Sequence, residues 1–244
     1  MAFSVDLNCD LGEGAGHDAE LMPLVTSANI ACGGHAGDAA TMRATLELAR
    51  RHGVAVGAHP GFADRENFGR RELNLSAADL RELVRSQLSA LVALGPVTHV
   101  KPHGALYNLA AREQAVAVAI VEGILLVDAR LRLYALAGSE LVRVGREKGL
   151  LVANEVFADR TYQKDGSLTP RSKNNALVAD ADEAVRQVLR MVQEGIVYAT
   201  DGTAVPITAD TVCLHGDGPH AVVFARRLHA ELRAAGIGIK TFSP

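Results

Sequence analysis

Short runs of apolar and β-branched residues alternate along this chain with longer segments in which apolar residues recur every three or four positions. The short runs predict buried strands, and the longer segments predict amphipathic helices. Strands are predicted at residues 3–8, 28–32, 54–58, 97–101, 131–136, 151–156 and 211–214. Helices are predicted at residues 38–52, 76–94, 111–127, 139–148, 182–194 and 219–235.

This regular alternation is typical of a parallel sheet with right-handed crossover connections. About seven strand–helix units within 244 residues predict an α/β fold in a single domain, residues 1–244, closed or nearly closed into a (β/α) barrel. An open doubly wound sheet is the alternative. Two longer loops, at residues 60–74 and 158–175, interrupt the alternation, and loops of this length are often functional.

Composition and charge exclude several classes of function. The net charge is −3 and aromatic residues make up only 4%, so neither a basic nucleic-acid surface nor a base-stacking platform is expected. The most apolar stretch, residues 115–133, contains four charged residues and is not a membrane span. The sequence has no signal-peptide pattern, and its three cysteines lack disulfide or metal spacing. A cytoplasmic location is therefore expected.

Polar residues share a common parity where the predicted strands end. Ligands of parallel α/β folds bind at the carboxyl ends of the strands, and alternate residues of a strand point to the same face. The first strand places Asp6, Asn8 and Asp10 on one face, with Glu13 in the following loop. Three polar residues on one face favour a functional site over a capped strand end.

The fourth predicted strand carries the most informative polar residues. His99, Lys101 and His103 occupy alternate positions and share a face. A lysine directed toward a barrel axis is costly to bury unless it is paired or binds an anion. An ion pair of Lys101 with Asp6 or Asp10 is one explanation, and it is compatible with a catalytic role.

Further candidates lie at the same ends of the other strands. Asp38, after the second strand, also suits the N-cap of the next helix. The loop after the sixth strand is basic, and a basic lid suits an anionic substrate. These candidates are His35 and Asp38 after the second strand, His59, Asp64 and Arg70 after the third, Glu155, Phe157 and Asp159 on the sixth, Arg160, Lys164, Arg171 and Lys173 in the loop that follows, and His215 and Asp217 after the last.

Carboxylates grouped with histidines suit either a metal-dependent hydrolase or metal-free acid–base catalysis. The HExxH, GxSxG, GxxxxGK[ST] and GxGxxG motifs are absent from the sequence, so phosphate would be held by Lys101, Arg160 and backbone amides. The catalytic candidates are Asp10, Glu13, His35, His59, Lys101, His103, Glu155 and His215. Candidates for binding substrate or phosphate are Asn8, Asp38, Asp64, Arg70, Arg160 and Asp217. A divalent metal is possible, with Asp6, Asp10, His59 and His103 as candidate ligands.

Six segments of the sequence combine the polar strand ends with their following loops. The segments are DLNCDLGEG (6–14), ANIACGGHAGD (28–38), GAHPGFADRENFGRR (57–71), HVKPHGALYN (99–108), EVFADRTY (155–162) and LHGDGP (214–219). Together they resemble the LamB/YcsF family: they follow family order and family-like spacing and cover nearly the whole chain. A composite of this length is specific, although each segment alone would be a weak signal.

The resemblance implies a distorted (β/α) barrel of about seven strands, similar to the glycoside hydrolase and polysaccharide deacetylase barrels. It implies ATP-dependent 5-oxoprolinase activity, in which 5-oxo-L-proline is cleaved to L-glutamate while the co-substrate ATP is hydrolysed to ADP and phosphate. It also implies that such a chain is an A subunit that works with separate 5-oxoprolinase B and C subunits.

Two other functions are compatible with the same residues. An ATP-independent, metal-dependent deacetylase or amidohydrolase would use the histidines and carboxylates as metal ligands. A non-catalytic subunit would only bind substrate or regulate its partners. The density of ionisable residues at the strand ends favours an enzyme over this last alternative.

Overall fold

Parallel strands close into a barrel in the computed structural model, which describes residues 3–215 and 221–243. The strands are β1 (Ser4–Leu11), β2 (Ser27–Ala31), β3 (Ala55–His59), β4 (His99–Val100), β5 (Arg132–Leu136), β6 (Val152–Phe157), β7 (Ile196–Tyr198), β8 (Ala204–Pro206), β9 (Thr211–Leu214) and β10 (Gly238–Ile239). The helices are α1 (Asp18–Leu21), α2 (Ala39–His52), α3 (Ala77–Val92), α4 (Gly104–Arg112), α5 (Gln114–Leu125), α6 (Glu140–Glu147), α7 (Ala181–Gln193) and α8 (Ala221–Ala234).

The barrel consists of seven parallel strands in the order β1, β2, β3, β4, β5, β6 and β9, and β9 pairs with β1 to close it. The predicted (β/α) barrel is therefore confirmed, and the open doubly wound sheet is wrong. β10 pairs in parallel with the first residues of β1, where Ser4 pairs with Gly238. β7 and β8 form a separate antiparallel hairpin. No helix within the described ranges has the length and apolar character needed to cross a membrane.

The main error of the sequence prediction concerns the helix expected at residues 111–127. The structure has two helices here, α4 and α5, and their junction is Glu113, whose ψ of 108° is not helical. α4 was missed because its sequence follows the fourth strand directly. The prediction also missed the β7–β8 hairpin and β10, which are only two or three residues long.

Alternation along β1 separates the axis of the barrel from the apolar layer outside it. Asp6 and Asn8 face the axis and contact residues of other strands, including Thr211 and Glu155. The intervening residues are at most 2% exposed and belong to the core between barrel and helices. This core-facing set is Val5, Leu7, Cys9 and Leu11.

The lower part of the axis is polar and fully hydrogen bonded. Asp6 accepts hydrogen bonds from the hydroxyls of Thr26, Ser27 and Thr211 at 2.6 to 2.7 Å. Burial nevertheless raises the pKa of Asp6, against the opposing effect of these hydrogen bonds. Removing these hydroxyls would leave a buried carboxyl group without hydrogen-bond partners, which is energetically costly. The layer therefore stabilises the packing of the strands.

A second layer lies one step closer to the carboxyl ends of the strands. Asn29 accepts a hydrogen bond from His99 Nε2 at 2.8 Å, and the His99 ring stacks on Tyr134. Burial lowers the pKa of His99 to about 3, so the ring is neutral. Gly57 on β3 makes room for this ring, since a Cβ there would overlap His99.

We expect Gly57→Ala to destabilise the protein by about 1–3 kcal/mol, because the added methyl group displaces His99 and disrupts its hydrogen bond to Asn29. Urea unfolding of both proteins at neutral pH measures this change. Gly95→Ala is the control, since a Cβ at Gly95 meets only the side chain of Leu46, at 3.4 Å. The control should change stability by less than about 0.5 kcal/mol. Equal stabilities for the two variants would contradict the tight packing of this layer.

Candidate active site

A buried lysine lies at the centre of the carboxyl end of the barrel. Lys101 Nζ is 2.8 Å from Glu155 Oε1 on β6 and 3.0 Å from Asp10 Oδ1 on β1, and the residue is only 2% exposed. Burial by itself would lower the pKa of Lys101, but Asp10, Cys213 and Glu155 raise it well above its ordinary value. Lys101 is therefore a cation that links the two carboxylates across the barrel.

Neutral side chains complete the hydrogen bonds around this charge. Lys101 Nζ donates hydrogen bonds to Asp10 Oδ1, to Asn8 Oδ1 at 3.1 Å and to Cys213 Sγ at 3.0 Å, and it forms an ion pair with Glu155. Glu155 accepts from Asn8 Nδ2 at 2.9 Å and from the Tyr107 hydroxyl at 2.7 Å. The ammonium hydrogens of Lys101 are therefore hydrogen bonded to protein atoms. We assign Lys101 the role of holding Asp10 and Glu155 in place.

Three histidines and a glutamate converge beside this network. His59 Nε2 lies 2.9 Å from His103 Nδ1 and 3.3 Å from Asp10 Oδ2. Glu13 Oε1 is 2.8 Å from His35 Nε2 and 3.4 Å from His103 Nδ1. Because their potential ligand atoms all lie within 4.8 Å of one another, Glu13, His35, His59 and His103 have the spacing of a metal-binding group.

Burial and neighbouring charges set the protonation of this group. Burial lowers the pKa of His35 to about 3 and that of His103 to about 2, so both rings are neutral at physiological pH. Burial acts in the same direction on His59, but the carboxylates of Asp10 and Glu13 raise its pKa above the ordinary value. Burial opposes ionisation of Asp10, yet His59 and Lys101 hold the pKa of Asp10 well below its usual range.

A second histidine–carboxylate pair lies on the opposite side of the site. His215 Nδ1 is 2.8 Å from Asp159 Oδ2, and its Nε2 is 3.1 Å from a guanidinium nitrogen of Arg171. The His215 ring also stacks on Phe157. Burial opposes ionisation of Asp159, but His215 and Arg171 lower the pKa of this carboxyl group. The loop after β6 is therefore held against β9 through Arg171.

A cavity of about 670 Å³ opens between these groups, a volume in the usual range for small-molecule sites. The loop after β6 forms one wall of it, including the basic residue Arg171. The ionisable residues that line the cavity are Asp10, Glu13, His59, Arg70, Glu72, Lys101, His103, Arg112, Arg160, Asp165, Arg171 and His215.

The structure brings most of the predicted catalytic residues together. Asp10, Glu13, His59, Lys101 and His103 contact one another and line the cavity. Three others support them from just behind the lining: His35 through Glu13, and Asn8 and Glu155 through Lys101.

Some predicted residues lie elsewhere. Asp38 is exposed and caps α2 by accepting from the Thr41 amide, and Asp64 is hydrogen bonded to Asn67, away from the cavity lining. Asp6 precedes Asp10 by four residues on β1, about 13 Å at roughly 3.3 Å per residue, and belongs to the layer of hydroxyls. Asp217 lies outside the described residues.

Two arginines predicted to bind substrate or phosphate differ in their contacts. Arg160 is only 4% exposed, and its guanidinium group donates to the backbone oxygens of Thr169 and Ala176, so it stabilises the loop after β6. Arg70 lines the cavity, and its guanidinium lies 5.0 Å from the centre of the Phe68 ring.

Sequence reasoning missed three residues of the network. Cys213 has the same parity as His215 on β9, so the alternation along that strand could have identified it as axis-facing. Asn29 on β2 pairs with Asp10 on β1, and its amide donates to the side chains of Asn8 and Asp10 at 2.8 Å. Tyr107 could not be found in this way because it lies on α4, which the sequence prediction did not contain.

The fold is that of a closed parallel barrel with helices outside it, and solved enzymes of other families share this architecture. The family 4 carbohydrate esterase from Streptomyces lividans superposes with a TM-score of 0.51 over 99% of this chain and 94% of that one. At 15% identity this likeness concerns the fold alone. It confirms the fold that the sequence resemblance implied.

The sequence model of the LamB/YcsF family matches residues 5–244, and the chain belongs to this family. A solved structure, described as a lactam utilization protein from Thermus thermophilus, is 44% identical with a TM-score of 0.92, over 98% of this chain and all of that one. The 5-oxoprolinase A subunit of Geobacillus thermodenitrificans is 55% identical over 97% of this chain and 96% of its own length. That of Neisseria meningitidis serogroup B is 53% identical over 96% and 98%.

We expect Lys101→Met to destabilise the protein by about 3–5 kcal/mol, because it leaves two buried carboxylates without their cation. Urea unfolding at neutral pH measures the loss. Adding Glu155→Gln removes one of the unbalanced charges, and the double variant should recover about 1–2 kcal/mol. The partly exposed Lys148, paired with Glu122, provides the control Lys148→Met. A loss at Lys101 no larger than at Lys148 would show that the buried cation does not hold the site together.

Proposed function

We propose that the chain is the A subunit of a 5-oxoprolinase and takes part in the ATP-dependent opening of 5-oxo-L-proline to L-glutamate, together with separate B and C subunits. Sequence similarity supports the proposal: relatives named as the A subunit of 5-oxoprolinase match this chain over nearly the whole length of both chains. The lactam utilization protein with the same fold points to the same class of substrate.

The observation that carries the proposal is the ionised pair of Asp10 and Lys101 at the floor of a cavity of small-molecule size. A carboxylate whose pKa is held well below its usual range keeps its charge and is a weak proton acceptor. Such a group suits the orientation of an attacking water toward an already activated carbonyl carbon. An unactivated lactam would require a stronger base.

ATP supplies that activation in the proposed reaction. A five-membered lactam is a stable amide, and transfer of the terminal phosphoryl group of ATP to its oxygen makes the ring carbon electrophilic and releases ADP. Water adds to this carbon, the C–N bond breaks with the nitrogen leaving as an amine, and an acyl phosphate remains. A second water hydrolyses the acyl phosphate to L-glutamate and phosphate.

Different residues around the cavity have different roles in the proposed reaction. Asp10 orients the water, and Lys101 keeps Asp10 in position and ionised. Arg171, on the loop after β6, provides a guanidinium for the carboxylate of 5-oxo-L-proline or for the phosphoryl group, since planar guanidinium groups bind both through paired hydrogen bonds. We assign this role to Arg171 in preference to Arg160, whose hydrogen bonds go to the loop backbone.

A cytoplasmic location accompanies this proposal. The reaction consumes ATP, which is abundant in the cytoplasm. Cys9, Cys32 and Cys213 are all buried and unpaired, as is usual for proteins of a reducing compartment.

We expect Asp10→Asn to lower the rate of ATP-dependent glutamate formation at least about 100-fold, because the neutral amide no longer orients and polarises the water. The assay uses the purified chain with its B and C subunits, 5-oxo-L-proline and ATP, and follows glutamate and phosphate release. Asp38→Asn is the matched control: Asp38 is exposed at the N-cap of α2, and asparagine caps helices equally well. The control should retain full activity.

The same assay separates the other candidate functions. Amide hydrolysis that proceeds without ATP would replace the proposal with a deacetylase or amidohydrolase. Full glutamate formation by Asp10→Asn and by Lys101→Met would indicate a subunit that binds substrate but performs no chemistry. Glutamate formation that requires both ATP and Asp10 is the outcome the proposal predicts.

For Arg171→Gln we expect the KM for 5-oxo-L-proline or for ATP to rise about 10- to 100-fold, with a smaller change in kcat, because a charged hydrogen bond to the substrate is lost. Steady-state kinetics with each substrate varied in turn identifies the anion that Arg171 binds. Lys173→Gln is the control, since Lys173 is on the same loop but outside the cavity lining. Equal KM values in both variants would remove Arg171 from the site.

A further inference from the structure

Two backbone carbonyls determine which ring nitrogens of His59 and His103 carry hydrogen. His59 Nδ1 lies 2.7 Å from the Lys101 oxygen, and His103 Nε2 lies 2.9 Å from the Phe68 oxygen. A carbonyl oxygen only accepts hydrogen bonds, so both of these nitrogens donate. Without an added proton, the other nitrogen of each ring, His59 Nε2 or His103 Nδ1, therefore presents a lone pair.

These two lone pairs face each other. The two nitrogens are 2.9 Å apart, and Glu13 Oε1 lies 3.4 Å from His103 Nδ1 and 3.8 Å from His59 Nε2. Asp10 Oδ2 is a further acceptor, 3.3 Å from His59 Nε2. A buried convergence of acceptors is unfavourable unless a positive charge lies between them, which must be either an added proton or a metal cation.

We infer that this cluster is a binding site for a divalent transition-metal ion, with His59 Nε2, His103 Nδ1 and Glu13 Oε1 as its protein ligands. Ligand atoms that lie 2.0–2.2 Å from one ion are separated from each other by roughly 3–3.5 Å. The three separations in the protein, 2.9, 3.4 and 3.8 Å, are close to that range. The pattern in which each ligating imidazole donates its other N–H to a fixed acceptor is usual for metal-binding histidines.

The backbone around Phe68 is arranged to supply one of these acceptors. Phe68 has a φ of 54°, the one positive value for a residue other than glycine in the described part of the chain. Such a conformation is unfavourable for a residue with a side chain and persists where the surrounding structure requires it. Here it accompanies the placement of the Phe68 oxygen against His103 Nε2.

His35 orients the carboxylate and is not itself a ligand. Its Nε2 lies 2.8 Å from Glu13 Oε1, whereas its Nδ1 is buried without a hydrogen-bond partner. If Nε2 were deprotonated to bind a metal, Nδ1 would carry a buried hydrogen with no acceptor. An unpaired N–H at this position is less favourable than an unpaired nitrogen lone pair. His35 therefore donates from Nε2 to Glu13 and stacks on the His103 ring at 3.6 Å.

The ligand types select the class of metal. Two imidazoles with one carboxylate suit zinc, cobalt or another borderline divalent ion, whereas magnesium and calcium prefer sites made of oxygen alone. All three ligands line the cavity, so a fourth position is open to water or substrate, as in catalytic zinc sites. A bound ion would supply a Lewis acid beside Asp10. The inference rests on this geometry and not on the identity of the substrate.

The test is binding of zinc and cobalt to protein freed of metal with a chelator and dialysed. Isothermal titration calorimetry with zinc should show one ion per chain with a dissociation constant in the micromolar range or tighter. Cobalt should give the visible absorption of a coordinated ion of low symmetry, which aqueous cobalt shows only weakly. Neither readout requires the partner subunits or the reaction.

Four variants locate the site. His59→Ala and His103→Ala should each weaken zinc binding at least about 100-fold, and Glu13→Gln, which keeps the size of the side chain, tests the site if the alanine variants do not fold. His35→Asn should weaken binding only about 10-fold, as expected for a residue that orients a ligand. His229→Ala, a partly buried histidine on α8, should bind as the unchanged protein does.

Failure of the unchanged protein to bind zinc or cobalt at micromolar concentrations would overturn the inference and leave a proton shared by His59 and His103. Binding that persists in Glu13→Gln and in both alanine variants would also overturn it, because the ion would then lie elsewhere. Binding by a protein that opens no lactam would support the metal site and contradict the proposed function. An active protein without metal affinity would support the proposed function and contradict the metal site.

Discussion

The buried positive charge of Lys101 is the constraint on which the rest of the site depends. An ammonium group at the axis of a barrel is stable only if carboxylates lie within contact distance and its remaining hydrogens find acceptors. Asp10 and Glu155 supply the charge, and Asn8 and Cys213 supply the other contacts. Because these residues come from β1, β6 and β9, the same interaction connects strands across the axis and builds the floor of the cavity.

Polar layers below Lys101 explain why so polar an interior is tolerated. Every step along the axis is hydrogen bonded, from the hydroxyls around Asp6 to the amide of Asn29 under Asp10. The apolar side chains that stabilise the fold lie outside the strands, against the helices. The barrel therefore derives its stability mainly from its outer layer, which leaves the axis available for ionisable groups.

Much of this arrangement could be predicted from the sequence, because a strand repeats every two residues. Parity alone placed Asp6, Asn8 and Asp10 on one face, and the alternation of strands and helices gave the barrel. Parity could not distinguish depth, so Asp6 was grouped with Asp10 although the two lie in different layers. Strand parity also cannot predict contacts made from loops and helices. Tyr107 contacts Glu155 from a helix that the sequence pattern does not predict, and Arg160 donates to the backbone of its own loop.

We propose that the Asp10–Lys101 floor of the cavity binds and positions a lactam. The most direct measurement is a crystal structure of the protein with 5-oxo-L-proline. The ring should lie at the inner end of the cavity, with its amide beside the Asp10 carboxylate and its own carboxylate directed toward Arg171. A lactam bound outside the cavity, without contact to Asp10 or Lys101, would contradict this role of the Asp10–Lys101 floor.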